Sequence, residues 1–183
     1  LFLTCMVVAG VLGWVNSITK DKIAAITWEK TVTAMKEVIS ADDFSDAMDL
    51  TDDMTAAATA QGGTLAAVYQ AQSGGQPIGY AINVESSGSQ GTISMMVGID
   101  MDGAVTGVSI VTNSETSGIG SKVMGNEPLT NGTGVLDQFI GKSAADGTLS
   151  VGSNVDAITG ATVSTKGVTT GVNAALAVAG VIG

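Results

Sequence analysis

Hydrophobic and polar positions divide the chain into stretches of different period. Residues 1–19 carry no charge and are mostly apolar, and Lys20, Asp21 and Lys22 end the run. About 20 such residues span a bilayer as a helix, and Trp14 stands near one end, where the membrane interface favours Trp. The pattern predicts a single transmembrane helix over residues 1–19. A cleaved signal peptide is the alternative, but no small-x-small cleavage site precedes Lys20. Cys5 lies inside the run, with most of the apolar stretch after it, so it reads as a buried thiol rather than a lipidation site. From residue 20 to 40, Ile23, Ile26, Trp28, Val32, Met35 and Ile39 are spaced to give one apolar helical face. Residues 42–53 hold six Asp and no base, which reads as a solvated loop. The spacing is not that of an EF-hand calcium loop, and Gln61-Gly62-Gly63 marks a break. Residues 20–63 are therefore expected to be an amphipathic helix and an acidic connecting segment.

From residue 64 the period changes to two. Thr64–Ala71, Ile78–Glu85, Thr92–Ile99 and Ala104–Val111 are rich in β-branched and apolar residues, and Ile93, Met95, Val97 and Ile99 alternate with the other face. Ser73-Gly74-Gly75 and Ser86–Gly91 separate these runs, and Asp102-Gly103 is a strong hairpin signal. Asp100-x-Asp102-Gly103 lacks the third oxygen ligand and distal Glu of a metal loop, so the turn reading stands and no metal site is expected. Val135–Ile140 reads as a short helix. Gly141-Lys142-Ser143 resembles the end of a P-loop, but Leu136 stands where that motif needs Gly. Val168, Val172, Ala175, Leu176 and Ala179 then recur at helical steps. The expected fold is α+β: the membrane helix, then a domain over residues 64–183 of antiparallel strands with packed helices.

The start of that last helix is the candidate site. Thr162 lies at or just before its N-terminus, beside the small residues Gly160, Ala161 and Ser164. Free N–H groups and the helix dipole favour an anion there, and Gly and Ala allow a bulky group close to the backbone. An ordinary Ser/Thr N-cap is the plain alternative.

Composition narrows the chemistry. Acidic residues number 17 and basic residues 7, a net charge of −10, and every base is Lys. An acidic chain without Arg is a poor nucleic-acid binder, because phosphate neutralisation drives that binding. The absence of His removes most hydrolytic triads and His-ligated metal sites. One Cys supplies neither an internal disulfide nor a cluster-binding set.

The string Asp156-Ala157-Ile158-Thr159-Gly160-Ala161-Thr162-Val163-Ser164-Thr165 resembles the flavinylation motif of the FMN-binding domain family. That family includes the G subunit of Rnf complexes and the C subunit of the sodium-pumping NADH:quinone reductase. In the family the last Thr of the (Ser/Thr)-Gly-Ala-Thr core carries FMN through a phosphoester bond, and the matching residue is Thr162. A second stretch, Asn113–Lys122, resembles the family's His-x-Glu-Thr-Pro-Gly-Leu-Gly loop, which packs against the flavin ring. Glu115, Thr116, Gly118 and Gly120 match, Ile119 replaces Leu, Asn113 stands for His and Ser117 for Pro. The resemblance covers residues 78–180 and includes a central hairpin around Val97–Val108. It implies a cofactor set of Asp156, Thr159, Gly160, Ala161, Val163, Ser164 and Thr165 around Thr162, with Glu115, Thr116, Gly118, Ile119, Gly120 and Lys122 from the loop. A family Lys near the cofactor corresponds to Lys142, for which an exposed surface Lys is an equal reading.

Only Lys122, Lys142 and Lys166 follow residue 37. Non-covalent FMN sites hold the phosphate with strong charge or many N–H donors, and a phosphoester removes that need. Thr is a weak nucleophile without an activating base, so the resemblance implies a separate flavin transferase using FAD and Mg²⁺. It also implies a membrane-anchored protein that relays electrons through covalent FMN among the other membrane and peripheral subunits of an Rnf complex. Such a complex couples ferredoxin oxidation and NAD⁺ reduction to Na⁺ or H⁺ movement. The domain would lie on the extracytoplasmic side of the cell membrane, and the protein alone would have no complete activity. Chain length favours the G subunit over the longer C subunit. A stand-alone extracellular flavin carrier is a further alternative. A pilin-like surface protein is another, although no acid precedes Asp21 in the apolar run.

Overall fold

The computed structural model describes residues 28–182. The expected membrane helix over residues 1–19, and the part of the expected amphipathic helix that falls on residues 20–27, lie outside the described residues. The chain divides into two compact units, Leu1–Thr33 and Ala34–Gly183. In the first, residues 28–33 are helical, and the Thr33 hydroxyl donates to the Glu29 carbonyl at 2.9 Å.

The second unit opens with helical residues 34–38 (α1). There follow β1 (Asp43–Phe44), α2 (Asp52–Ala60), β2 (Thr64–Ser73), β3 (Gln76–Ser87), β4 (Thr92–Asp100), β5 (Val105–Thr112), α3 (Gly120–Met124) and α4 (Thr162–Ile182). The five strands form one antiparallel sheet in sequence order, the α+β class that the strand pattern predicts. The turns follow from their residues. Gly74 and Gly75 both take positive φ, 57° and 78°, as a tight two-residue hairpin between right-twisted strands requires. At Asp102-Gly103 the Asp100 carboxylate accepts the N–H groups of Asp102 (3.0 Å) and Ala104 (2.9 Å).

The acidic stretch 42–53 departs from expectation: it is partly structured, not a loop throughout. β1 is held to β2 by Asp42 N to the Gln72 carbonyl and Ser45 N to the Gln70 carbonyl, each 2.9 Å. The Asp42 carboxylate accepts the Ser73 hydroxyl at 2.7 Å and Gly74 N–H at 3.0 Å. Asp52 and Asp53 occupy the first turn of α2, where the helix dipole favours acids. Thr51 caps that helix by accepting Met54 N–H at 3.2 Å. The compact unit thus takes in β1 and α2, which the sequence reading leaves to a connecting segment. The expected helix at residues 135–140 is a single 3₁₀ turn, Asp137–Phe139, with Phe139 fully buried.

α4 lies across one face of the sheet, with Val168, Val172, Ala175 and Leu176 buried. Gly167 and Gly171 admit the sheet closely: a Cβ at Gly167 would stand 2.7 Å from the Ser87 carbonyl. α1 covers the opposite face. A Cβ at Gly107 would stand 2.9 Å from Val38 Cα, and the Thr106 hydroxyl donates to the Val38 carbonyl at 2.6 Å. β4 is therefore covered on both sides, and Ile93–Ile99 is buried without interruption. Each such large apolar side chain contributes roughly 1.5–3 kcal/mol of burial. Among the described residues α4 is the one helix long and apolar enough to cross a membrane, but 56% of its most apolar window is buried within the fold. It serves here as the core helix.

Candidate functional site

Three connecting segments meet at the N-terminal end of α4: the β3–β4 turn, the loop after β5, and the turn that enters α4. The β3–β4 turn is closed by Gly88 N–H to the Gly91 carbonyl at 2.7 Å. In the loop after β5, the Asn113 side chain accepts Glu115 N–H at 3.1 Å. Gly118 takes φ +87°, and its N–H is accepted by the Ser121 hydroxyl at 2.8 Å. This geometry lets the chain reverse and start α3 at Gly120. The turn into α4 uses Gly160 at φ +84°, a conformation that disfavours other residues. Ala161 N–H bonds the Ile158 carbonyl at 2.9 Å, and the Ala161 carbonyl accepts Thr165 N–H at 3.0 Å as the first bond of the helix.

The segments enclose a cavity of about 200 Å³. Ser89 and Gln90 line it from the first segment, Glu115, Thr116, Ile119 and Gly120 from the second, and Gly160, Ala161, Val163 and Ser164 from the third. Ile119 and Val163 leave large apolar side chains 52% and 57% exposed. Two further cavities, about 230 and 340 Å³, contain no residue of the Asn113–Lys122 or Asp156–Thr165 stretches.

Glu115 joins all three segments. One carboxylate oxygen accepts the N–H groups of Ser89 (2.7 Å) and Gln90 (3.1 Å), and the other accepts the Ser164 hydroxyl in a short hydrogen bond. Gly88 and Gly120 leave room for it. A Cβ at Gly120 would stand 2.5 Å from the carboxylate, and one at Gly88 would also run into it. A second tie runs from the Ser86 hydroxyl to the Gly167 carbonyl at 2.8 Å.

The structure sorts the hydroxyls of the Asp156–Thr165 string. Ser164 is buried and bonded to Glu115. Thr165 is buried and bonded to the Ala161 carbonyl at 3.0 Å. Thr162 is exposed and Thr159 is also exposed. Thr162 is the first residue of α4. The N–H groups of Thr162, Val163 and Ser164 precede the first intrahelical bond and have no partner from the helix itself. An anion on the Thr162 oxygen would therefore meet oriented donors.

Thr159, Thr162, Thr165 and Gly118 are not part of the cavity wall, and other expected residues also stand apart from it. Asp156 is exposed, and the Gln138 amide brackets its backbone, accepting its N–H at 2.8 Å and donating to its carbonyl at 2.9 Å. Lys122 lies in α3, two residues past Gly120, and does not line the cavity. Lys142 is not brought to the site: its carbonyl accepts Val105 N–H at 2.8 Å, at the start of β5. The cavity lies beyond the other end of that strand, roughly 25 Å away at the usual rise per residue. Sequence reasoning missed Ser89 and Gln90, which contribute backbone N–H groups that any residue carries. Their only signal is the Gly88 and Gly91 flanking them. The lining holds one carboxylate, already bonded to three donors, and no basic side chain. Among the described residues no group of His, Cys, Asp and Glu could hold a metal. The arrangement suits binding of an anionic group with an apolar part rather than acid–base chemistry.

The FMN-binding domain family matches residues 88–177, which include the three segments around the cavity. The G subunit of the Na(+)-translocating ferredoxin:NAD(+) oxidoreductase complex of Acetobacterium woodii is 34% identical over 189 residues, covering 97% of this chain and 87% of the relative. The G subunit of an ion-translocating oxidoreductase complex of Methanosarcina acetivorans is 29% identical over 93% of this chain and 86% of the relative. The G subunit of the proton-translocating ferredoxin:NAD(+) oxidoreductase complex of Clostridium ljungdahlii is 36% identical over 59% of this chain and 57% of the relative. On this match along nearly its whole length, the chain belongs to the family of FMN-binding G subunits of ion-translocating oxidoreductase complexes.

Proposed function

We propose that Thr162 carries FMN through a phosphoester on its side-chain oxygen, and that the protein relays electrons through it within an ion-translocating ferredoxin:NAD⁺ oxidoreductase (Rnf) complex. The observation that carries this reading is the sorting of hydroxyls: Ser164 and Thr165 are buried and already bonded, and of the two exposed ones, Thr159 and Thr162, it is Thr162 that opens α4.

The residues present fit the group. The N–H groups of Thr162, Val163 and Ser164 would face its phosphate, and Gly160 and Ala161 leave the backbone open beside it. Ile119 and Val163 would offer apolar surface to its ring, with Thr116, Gly118 and Gly120 shaping the loop between. A cavity of about 200 Å³ is smaller than the roughly 300–1,000 Å³ that buries most of a drug-sized ligand. The site would thus enclose part of the group and rely on the covalent bond to retain it. Lys122 is the nearest of the expected cations, and Asp156 and Thr159 form the approach to the helix. Bound FMN supplies the redox chemistry, and the protein fixes its place and surroundings. No side chain in the cavity is free to act as a base for Thr162, so a flavin transferase would make the bond from FAD with Mg²⁺: the Thr162 oxygen takes the FMN phosphoryl as the FAD pyrophosphate bond breaks, AMP leaves, and the hydroxyl proton passes to a base of the transferase.

Residues 1–19 would anchor the protein in the membrane with a single pass, with the FMN domain on the extracytoplasmic side beside the other members of the complex. The test is the intact mass of the full chain, purified in detergent after expression with and without a flavin transferase. One FMN added by phosphoester, mapped to the peptide containing Thr162, is the expected result. An unmodified chain in the presence of active transferase would overturn the reading.

A further inference from the structure

The Glu115 carboxylate belongs to a motif expected to touch the flavin, yet its hydrogen bonds go elsewhere. It accepts from Ser89 and Gln90 N–H and from the Ser164 hydroxyl. It ties the β3–β4 turn to the first turn of α4 across the loop that carries it. Gly88 and Gly120 mark the same device independently, since a Cβ at either would collide with the carboxylate. No cation neutralises it within the cavity lining. Within the cavity the carboxylate is met by N–H and O–H donors, an arrangement with strong directional demands.

We infer that Glu115 is a positioning residue: its carboxylate clasps the three segments and so fixes where the α4 N–H groups and the Ile119–Val163 apolar rim stand around the Thr162-linked group. This rests on the reading that Thr162 carries FMN. Glu115 acts through Ser164, two residues beyond Thr162, and through the backbone of Ser89 and Gln90. Geometry is what counts in this role. Gln at position 115 keeps one oxygen for the two N–H groups and an N–H donor for the Ser164 oxygen, so it preserves the clasp without the charge. Ala removes it.

The test uses the full chain in detergent, expressed with a flavin transferase, as wild type, Glu115→Gln, Glu115→Ala and Ser164→Ala. Two readouts are taken: amide exchange at Ser89 and Gln90, and fluorescence anisotropy of the attached flavin. In Glu115→Ala the two amides should exchange about tenfold faster or more, as expected for loss of a hydrogen bond to a charged acceptor, and the anisotropy should fall. Glu115→Gln should restore both. Should Glu115→Ala fail to fold, Ser164→Ala carries the comparison: its anisotropy should fall while Ser89 and Gln90 stay protected. Unchanged exchange in Glu115→Ala, or unchanged anisotropy in both truncated variants, would overturn the inference. So would a Gln variant as loose as the Ala variant, since charge rather than geometry would then be at work. A wild-type chain that takes up no flavin counts against the Thr162 reading instead, and the amide exchange still decides whether the clasp exists.

Discussion

Gly167 and Gly171 stand one turn apart on α4, both inside the helix and both buried against the sheet, yet the same substitution should affect them differently. Gly→Ala inside a helix gains about 1 kcal/mol of propensity at either position. At Gly171 the new Cβ would lie 2.6 Å from the Met95 Sδ and Cε atoms, the far end of a flexible side chain that can move aside. That repacking costs less than about 1.5 kcal/mol, so Gly171→Ala should be near neutral. At Gly167 the Cβ would lie 2.7 Å from the Ser87 backbone carbonyl and 3.2 Å from Gly88 Cα. Backbone cannot rotate away, so the N-terminal turns of α4 must lift. The overpacking costs about 1–3 kcal/mol, and straining the Ser86–Gly167 hydrogen bond, 2.8 Å here, adds about 1 kcal/mol. After the propensity gain, Gly167→Ala should lose about 2 kcal/mol, a fall in Tm of about 4–8 °C for a chain of this size. Thermal unfolding of both variants in detergent, followed by circular dichroism, measures the difference. Equal Tm values for the two would refute the claim that α4 is seated by backbone contact at Gly167.

Phe139→Ala should be among the most damaging core changes, because Phe139 is fully buried in the main hydrophobic cluster. The expected loss is about 3–5 kcal/mol by chemical denaturation, and a loss below about 1 kcal/mol would contradict that packing. Asp42 gives a pH dependence. The Ser73 hydroxyl, then Gly74 N–H, hold its carboxyl below the ordinary aspartate range. Its stabilisation is therefore present above about pH 4 and lost as pH falls through the depressed value. Wild type should be more stable than Asp42→Ala near neutral pH, and the gap should close on acidification below about pH 4. A gap that stays constant or widens in acid would refute it.

The strands and the last helix were legible because their signals are local. Alternating β-branched residues, Gly74-Gly75 and Asp102-Gly103 specify a meander in register. The steps from Val168 to Leu176 specify the buried face of α4. β1 and α2 were not legible, because the Asp residues there read as charge when their roles are positional: Asp42 closes a hairpin, and Asp52 and Asp53 open a helix. Alanine-rich α2 also carries no apolar stripe that would announce it. At the site, Glu115, Thr116, Ile119 and Gly120 of one expected stretch and Gly160, Ala161, Val163 and Ser164 of the other line one cavity, whose wall does not include Thr162. What sequence does not express is the backbone. Ser89 and Gln90 take part through N–H groups, and Lys142 is set apart by its pairing with Val105. The hydroxyls of Thr159, Thr162, Ser164 and Thr165 are equivalent on paper; burial and hydrogen bonding set Ser164 and Thr165 apart, and position at the start of α4 distinguishes Thr162 from the equally exposed Thr159.

The central claim is the bond at Thr162, and in-gel flavin fluorescence of single hydroxyl variants tests it most directly. Thr162→Val keeps the shape of the side chain and removes the oxygen, so it tests the bond rather than the fold. The chain is expressed with a flavin transferase and run on a denaturing gel as wild type, Thr162→Val, Thr159→Val, Ser164→Ala and Thr165→Val. Wild type and the last three variants should give a fluorescent band, and Thr162→Val should give none. A fluorescent Thr162→Val band, or an adduct mapped to Thr159, Ser164 or Thr165, would contradict the account.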